Sequence, residues 1–334
     1  MTDRRCLTLL LLTAVSASAQ DPEPGAAGRP SANLVSALEA LGASNGVPDG
    51  AGSTQYAKQP VRGQQASLGM FTAQAGGAVP AWESGNDQLF VTGAGRWLSV
   101  PTKAVLPDDR AAFPNNWYDV QAGGLFVRQT PDGRSWGVGL TGGSVSDRPF
   151  QSVREAAVNA IAFLRVPSGD DAWLFYVVSA TNGQVGQNIP IPGVAYEFRT
   201  ENWRGVAGFP FVNVTRRLTP EWDWEFSYAA LTDVQTRVNW HATAAAKLYG
   251  GFAWTNQSWF RAGRADRNDQ FFYYEKRLEA GVVYTPANGV NLEVAGGEAF
   301  DRYFFETHSF SLTGRNRVDA GAGPFVRCQL ELKY

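Results

Sequence analysis

The chain holds only two imidazoles, His241 and His308, and His241-Ala242-Thr243 sets one of them two residues from a hydroxyl. Residues two apart share a face of an extended strand, so His241 and Thr243 project together, and a neighbouring strand carrying Ser227 would bring a second hydroxyl near. Nucleophilic catalysis asks for more: a base within hydrogen-bond reach and a third group that orients it. A lone histidine on a polar face is ordinarily a satisfied polar residue, so hydrolysis of lipids or esters is the weakest of the functional readings. No His or Cys stand at metal-ligand spacing. The segment Asp266-Arg267-Asn268-Asp269 lacks the alternating oxygen ligands and closing Glu of a calcium loop. The chain is read as a non-enzyme without metal or cofactor.

Charge patterning carries more. Over 222–231, Trp222, Trp224, Phe226 and Tyr228 share one face, opposite Asp223, Glu225 and Ser227. Over 235–246, Val238 and Trp240 oppose Arg237, Asn239 and His241. The same parity adds Glu275, Arg277 and Glu279, then Glu293, then Arg327, Glu331 and Lys333. Inside a barrel this polar face would line a lumen. Six acids against four bases lean toward cation over anion passage, whereas pairing across neighbouring strands would make the same charges a plug that holds the wall. Both readings stay open at this level. The apolar side supplies Trp222, Trp224, Trp240, Tyr284 and Tyr334 as expected interface anchors, because amphipathic rings prefer a membrane boundary.

Strands must position these groups. The carboxyl terminus alternates Val326, Cys328, Leu330, Leu332 and Tyr334 against Arg327, Gln329, Glu331 and Lys333, the pattern of a closing transmembrane strand. Further strands are predicted at 87–100, 119–130, 135–146, 157–166, 172–180, 203–217, 222–231, 235–246, 249–259, 271–284, 290–300 and 320–334, with weaker ones at 65–76 and 194–199. Thr130-Pro131-Asp132-Gly133, Val166-Pro167-Ser168-Gly169, Thr219-Pro220-Glu221 and Thr285-Pro286-Ala287-Asn288-Gly289 separate pairs of them as tight turns. The expected fold is all-β: an antiparallel transmembrane β-barrel of about 12 strands, or 14 if both weaker segments are admitted. The favoured count puts all four Pro turns on the periplasmic side and leaves 261–270 and 301–319 as external loops. The last strand is expected to pair with 87–100 or 65–76.

Residues 1–19 have the layout of a secretory signal: Arg4 and Arg5, an apolar run from Cys6, then Ala17-Ser18-Ala19. Residues 20–64 are rich in Pro, Gly, Ala and Ser and read as a flexible periplasmic lead, with one short helical pattern over 31–41. The barrel is assigned to 65–334. Removing the signal leaves 27 basic and 30 acidic residues, a balance with no footprint for nucleic acid, and one cysteine, Cys328, which excludes an internal disulfide. No apolar run is long enough for a membrane helix, while 36 Gly and 13% aromatic residues suit a barrel wall with girdles.

Several segments resemble a bacterial family known only as a domain of unknown function and described as outer-membrane β-barrel proteins. They are Ser144-Val145-Ser146-Asp147-Arg148-Pro149-Phe150, Ile189-Pro190-Ile191-Pro192-Gly193-Val194-Ala195-Tyr196, Gly208-Phe209-Pro210-Phe211, Tyr274-Glu275-Lys276-Arg277-Leu278, Ala299-Phe300-Asp301-Arg302-Tyr303 and 315–324. The resemblance implies fold and location and brings no catalytic or binding residues. The combined expectation is an exported outer-membrane barrel of a Gram-negative-type envelope, acting as a passive or weakly selective pore for small solutes. A structural or surface-binding barrel with a plugged lumen is the alternative. Its expected partners are the lipid bilayer, barrel-insertion machinery engaging the carboxyl-terminal strand, and small solutes.

Overall fold

A computed structural model describes residues 50–183, 187–230, 232–308 and 314–332. The signal, the helical pattern over 31–41, most of the lead, Lys333 and Tyr334 lie outside these residues. The strands in chain order are β1 (Gly50–Pro60), β2 (Ser67–Ser84), β3 (Asp87–Ser99), β4 (Asn116–Gln129), β5 (Ser135–Ser146), β6 (Ala156–Ser168), β7 (Asp171–Ala180), β8 (Ile191–Arg199) and β9 (Trp203–Phe209). They continue as β10 (Phe211–Arg217), β11 (Trp222–Ala229), β12 (Asp233–His241), β13 (Ala246–Trp259), β14 (Gln270–Ala287), β15 (Val290–Thr307), β16 (Arg315–Ala320) and β17 (Gly323–Leu332). Each pairs antiparallel with its chain neighbour through β15, which then pairs with β17, and β17 closes the ring on β1. Sixteen strands form the closed ring, and β16 lies outside it along the distal end of β15. Closure leaves the ring no free edge, so each of its sixteen strands has a ladder on both sides, while β16 pairs with β15 alone.

The count of 12 or 14 is therefore corrected to sixteen in the ring. Both weaker segments are wall strands, β2 and β8. The other two come from features that hydrophobic alternation does not show. β1 begins at Gly50 inside the segment read as a lead, and its Gly-Ala-Gly-Ser-Thr-Gln sequence has small residues on both faces. It is a strand because β2 and β17 offer it ladders on both sides. The predicted strand 203–217 is two strands that meet at Pro210, which follows a cis peptide bond. Pro has no N–H to continue a ladder, and Phe209 and Phe211 give that corner no polar turn signature.

Both described ends of the ring, Gly50 and Glu331, lie side by side in register, and this defines the terminal end of the barrel. All four Pro turns sit there, between β4 and β5, β6 and β7, β10 and β11, and β14 and β15. The opposite, distal end carries the longer connections 100–115, 147–155, 181–190 and 260–269. The expected loop 301–319 shrinks to 308–314, because 301–307 belong to β15 and 315–319 to β16. The closing strand pairs with β1 and β15, not with 87–100 or 65–76.

β14 and β15 are 18 residues long, about twice the 9–11 residues that a tilted strand needs to cross a bilayer. Their extra length turns inward at a row of irregularities. Glu275 of β14 opposes both Asp301 and Arg302 of β15. Beside them, residues 321–322 separate β16 from β17, and β1 bulges at Ala57-Lys58. A bulge bends its strand and strengthens local twist. Above the β14–β15 bulge the distal part of these strands, with β13 paired to β14 without a break, reaches over the mouth to β5.

Candidate functional site

The register places Asp223, Glu225, Arg237, Asn239, His241, Glu275, Arg277, Glu279, Glu293, Arg327 and Glu331 on one continuous inner face of β11–β15 and β17. Trp222, Trp224, Trp240 and Tyr284 fall on the outer face, where Trp222 and Trp240 stack at 6.2 Å.

At the centre of the charged arc two arginines share two glutamates. Arg237 Nη2 lies 3.0 Å from Glu279 and 3.4 Å from Glu293, and Arg327 Nη2 lies 3.0 Å from Glu279 and also contacts Glu293. Arg237 reaches Glu279 by lying flat over Gly251, where a Cβ would stand 2.9 Å from the Arg237 side chain. Tyr249 completes the set: its ring is 4.3 Å below the Arg237 guanidinium, its hydroxyl donates to Glu293, and Arg327 donates to that hydroxyl at 3.0 Å. Charge-assisted bonds of this kind tie the set together, although Glu279 Oε2 and Arg327 Nε are buried without a hydrogen bond.

Higher up, at the row of bends, Glu275 accepts hydrogen bonds from Tyr56 at 2.7 Å and Tyr273 at 2.6 Å. Arg277 and Arg302 approach the same carboxylate at 3.5 Å and 3.9 Å, and Arg302 stacks over the Tyr56 ring at 4.6 Å. Toward the terminal end, Lys247 pairs with Glu225 at 3.2 Å, Asn291 donates to Glu331 at 2.9 Å, and His241 and Asn239 both meet Asp223. Ser227 is opposite Gln235, away from His241, and the histidine ring meets the Asp223 carboxylate.

Sequence parity missed Arg302, Tyr56, Tyr273, Lys247 and Tyr249. The double residue Asp301-Arg302 in β15 shifts its alternation by one, so the inner face passes from Glu293, Ala295, Gly297 and Ala299 to Arg302, Phe304 and Glu306. A one-residue slip moves every later side chain to the other face. Lys247 and Tyr249 were reachable by extending the β13 alternation to Gly251 and Ala253. Arg302 and Lys247 add two bases to this face, and Asp233, which shares the parity of Arg237 on β12, and Glu306 add two acids.

Exposure along the charged arc is highest at the terminal end and lowest at the row of bends. His241 is 45% exposed, Arg237, Glu293 and Arg327 are each 13%, Glu279 is 1% and Arg302 is 0%. The opposite arc, β4–β10, carries one buried apolar cluster of Leu125, Val127, Phe163, Leu174, Tyr176 and Val206, on the same face as the Arg165–Glu197 pair at 2.8 Å and the contact between Gln121 and Asn159. Its rings lie flat on neighbouring glycines, Tyr176 on Gly193 and Phe163 on Gly137.

The distal mouth is closed. Loop 100–115 folds inward and buries Val100, Leu106 and Phe113 with Trp117, Trp259, Phe271 and Phe304. Trp117 of β4 stacks on Phe271 of β14 at 4.6 Å, and Phe113 packs edge-on against Phe304 at 4.9 Å. The N–H of Phe260 donates to Val145 at 2.9 Å in a parallel bridge that joins the ends of β13 and β5. These strands are eight steps apart in either direction round the ring, on diametrically opposite walls.

A polar clasp surrounds this seal. Asp109 from loop 100–115 meets Arg261, Arg315 at 2.9 Å and Asn316 at 3.0 Å, while Glu306 takes Arg261 at 2.9 Å and Asn316 at 2.7 Å. Burial opposes ionisation of Asp109, but the Asn316 hydrogen bond and the two guanidinium groups outweigh it and hold the carboxyl below the usual carboxylate range.

No family model matches the chain. No curated protein matches it. Among solved structures, the β domain of a Bordetella autotransporter, BrkA, is similar over 86% of this chain and 100% of its own, at 10% identity and a TM-score of 0.28. A mutant of the Rh. blastica porin is similar over 86% and 99%, at 12% identity and a TM-score of 0.34. Outer-membrane expressed OmpT of Vibrio cholerae is similar over 85% and 96%, at 12% identity and a TM-score of 0.30. The assignment of this chain rests instead on its own strand register: it is an all-β, antiparallel, closed barrel of sixteen strands.

Proposed function

We propose that the chain is a bacterial outer-membrane β-barrel whose resting state is plugged at the distal end. Its outer face supports the membrane placement. Leu140, Phe175, Leu248, Leu278, Val294 and Val326 are exposed there, and Trp82, Trp173, Trp222, Trp240 and Tyr284 are exposed near the terminal end of their strands. An apolar band bordered by aromatic rings suits the bilayer and its interface. In water the same band would be an aggregation surface. The signal read over 1–19 supplies the export route.

The observation that carries the plugged reading is the bridge from β13 to β5 across the mouth, with the aromatic seal beneath it. The internally paired charges of the wall support it, since they leave little net field to select an ion. A pore for small solutes draws on one observation, the exposed polar groups His241, Glu225 and Lys247 at the terminal end.

Two measurements separate these readings. The purified chain should need detergent, migrate differently on electrophoresis before and after heating, and show no steady conductance in planar bilayers. A chain soluble without detergent and without heat-dependent migration would end the membrane reading. Steady conductance from the parent protein would replace the plug with an open pore.

A further inference from the structure

We propose that the distal part of β13–β15 is a hinged lid, latched by the Asp109–Arg261–Glu306 clasp, whose release turns the plugged barrel into a conducting one. The lid comprises residues 256–274 and 302–307, and the proposal rests on the reading of this chain as a membrane barrel closed at rest.

Its hinge is the line of bends through Glu275, Asp301-Arg302, residues 321–322 and Ala57-Lys58. The β14–β15 ladder breaks at Glu275 and the β1–β2 ladder at Ala57-Lys58, while β13 and β14 stay paired without a break through Thr255 and Glu275 and so move as one hairpin. Asp301 has a φ of 53°, a left-handed conformation that Asp tolerates better than most residues. Rotation about this line needs no rupture of the continuous ladders of β14 and β15 between the bends and the terminal end.

The wall beneath the hinge does not depend on the lid. Arg237, Arg327, Glu279, Glu293 and Tyr249 bond to one another, and none of their partners lies in the lid. A fixed plug is commonly woven into the groups it covers. Here the central set is complete without it, Glu275 on the hinge line is the group of the arc that bonds into the lid, through Tyr273 and Arg302, and partly water-exposed groups already enter from the terminal end.

What holds the lid down is different in kind from what holds the wall together. Its contacts to the far side include the backbone bond from Phe260 to Val145, the bond from the Ala262 N–H to Asp147 at 2.7 Å, the bond from Arg264 to the Arg154 carbonyl, the bonds from Gln270 to the Gly183 carbonyl at 3.3 Å and from Gln187 to the Asn268 carbonyl, and the clasp to loop 100–115. Packing of Trp259, Phe271 and Phe304 on Trp117 and Phe113 adds an apolar seat. Each of these contacts is made by side chains or single backbone groups, which can part and meet again as a unit.

The test uses the full chain in planar bilayers, with heat-dependent migration as an independent report that the barrel has formed. Asp109→Asn with Arg261→Gln removes the latch charges, and we expect at least a tenfold rise in the fraction of time in a conducting state. Adding Ser146→Cys and Phe260→Cys, in a Cys328→Ser background, should return conductance to the parent level when oxidised and restore it on reduction. Should the double latch variant lose heat-dependent migration, Arg315→Gln alters the clasp from its exposed side and serves in its place. A variant that keeps heat-dependent migration yet conducts no more than the parent overturns the lid. So does conductance unaffected by oxidising the cysteine pair. Loss of heat-dependent migration in the parent itself would instead strike at the membrane reading.

Discussion

Glu275 shows how much a single residue can hold in this barrel. Two tyrosine hydroxyls donate to it and two arginines face it, while it sits buried in the row of bends. Removing one partner of a buried ion pair strands the other, at a cost of ~3–5 kcal/mol. Arg302→Ala should therefore lower the urea midpoint of unfolding, followed by electrophoretic migration, by an amount equivalent to about 3 kcal/mol. Arg302→Lys, which keeps a positive charge facing Glu275, should recover part of that loss. Glycines act at the same scale. A Cβ on Gly193 would stand 2.2 Å from the Tyr176 ring, so Gly193→Ala should cost about 1–3 kcal/mol by overpacking. If the ring contact is the cause, Tyr176→Leu in that background should offset part of the cost; a cost unchanged in the double variant would place it elsewhere.

At the scale of elements, loop 100–115 and the distal strands meet through titratable groups. Facing Asp109 are Arg261 from the β13–β14 loop, and Arg315 and Asn316 from β16; Glu306 of β15 shares Arg261 and Asn316, and Asp108 accepts from the Asn316 backbone. The Asp109 carboxyl titrates lower in the folded state than in the unfolded one. Its stabilisation is thus fully present above the unfolded carboxylate value, about 3.9, and is lost as pH falls through the lower folded value. Protection of the amides in 104–113, measured as exchange relative to the intrinsic rate at each pH, should accordingly fall in the acid range below about 3.9. Asp109→Asn should remove that component of the pH dependence, and an unchanged profile would assign it to the other carboxylates of the clasp.

At the scale of the whole molecule, closure depends on β1. It has β2 on one side and β17 on the other, so deleting 50–60 leaves two edges whose backbone groups have no partner in a bilayer. That deletion should abolish heat-dependent migration, whereas exchanging the β14–β15 turn for another two-residue hairpin turn should preserve it. A barrel that still forms without 50–60 would mean that β2 and β17 can close directly, and β1 would then be an accessory strand.

Sequence alone determined the fold class, the face assignments and the punctuation. Alternation has a period of two wherever a wall divides two environments, so Asp223 and Trp222, or Arg327 and Val326, sort correctly from their order in the chain. The Pro turns were legible because their backbone angles demand particular residues. Three things were decided only in the tertiary structure. The strand status of Gly50–Pro60 depends on ladders offered by β2 and β17, not on its own side chains. The inward face of Arg302 depends on a bulge whose position alternation does not mark. The meeting of Phe260 with Val145 joins walls half a ring apart, and local periodicity has no term for a contact across a lumen. The same charges therefore read equally as pore lining or plug along the chain, and only their pairing in space, beneath a covered mouth, favours the plug.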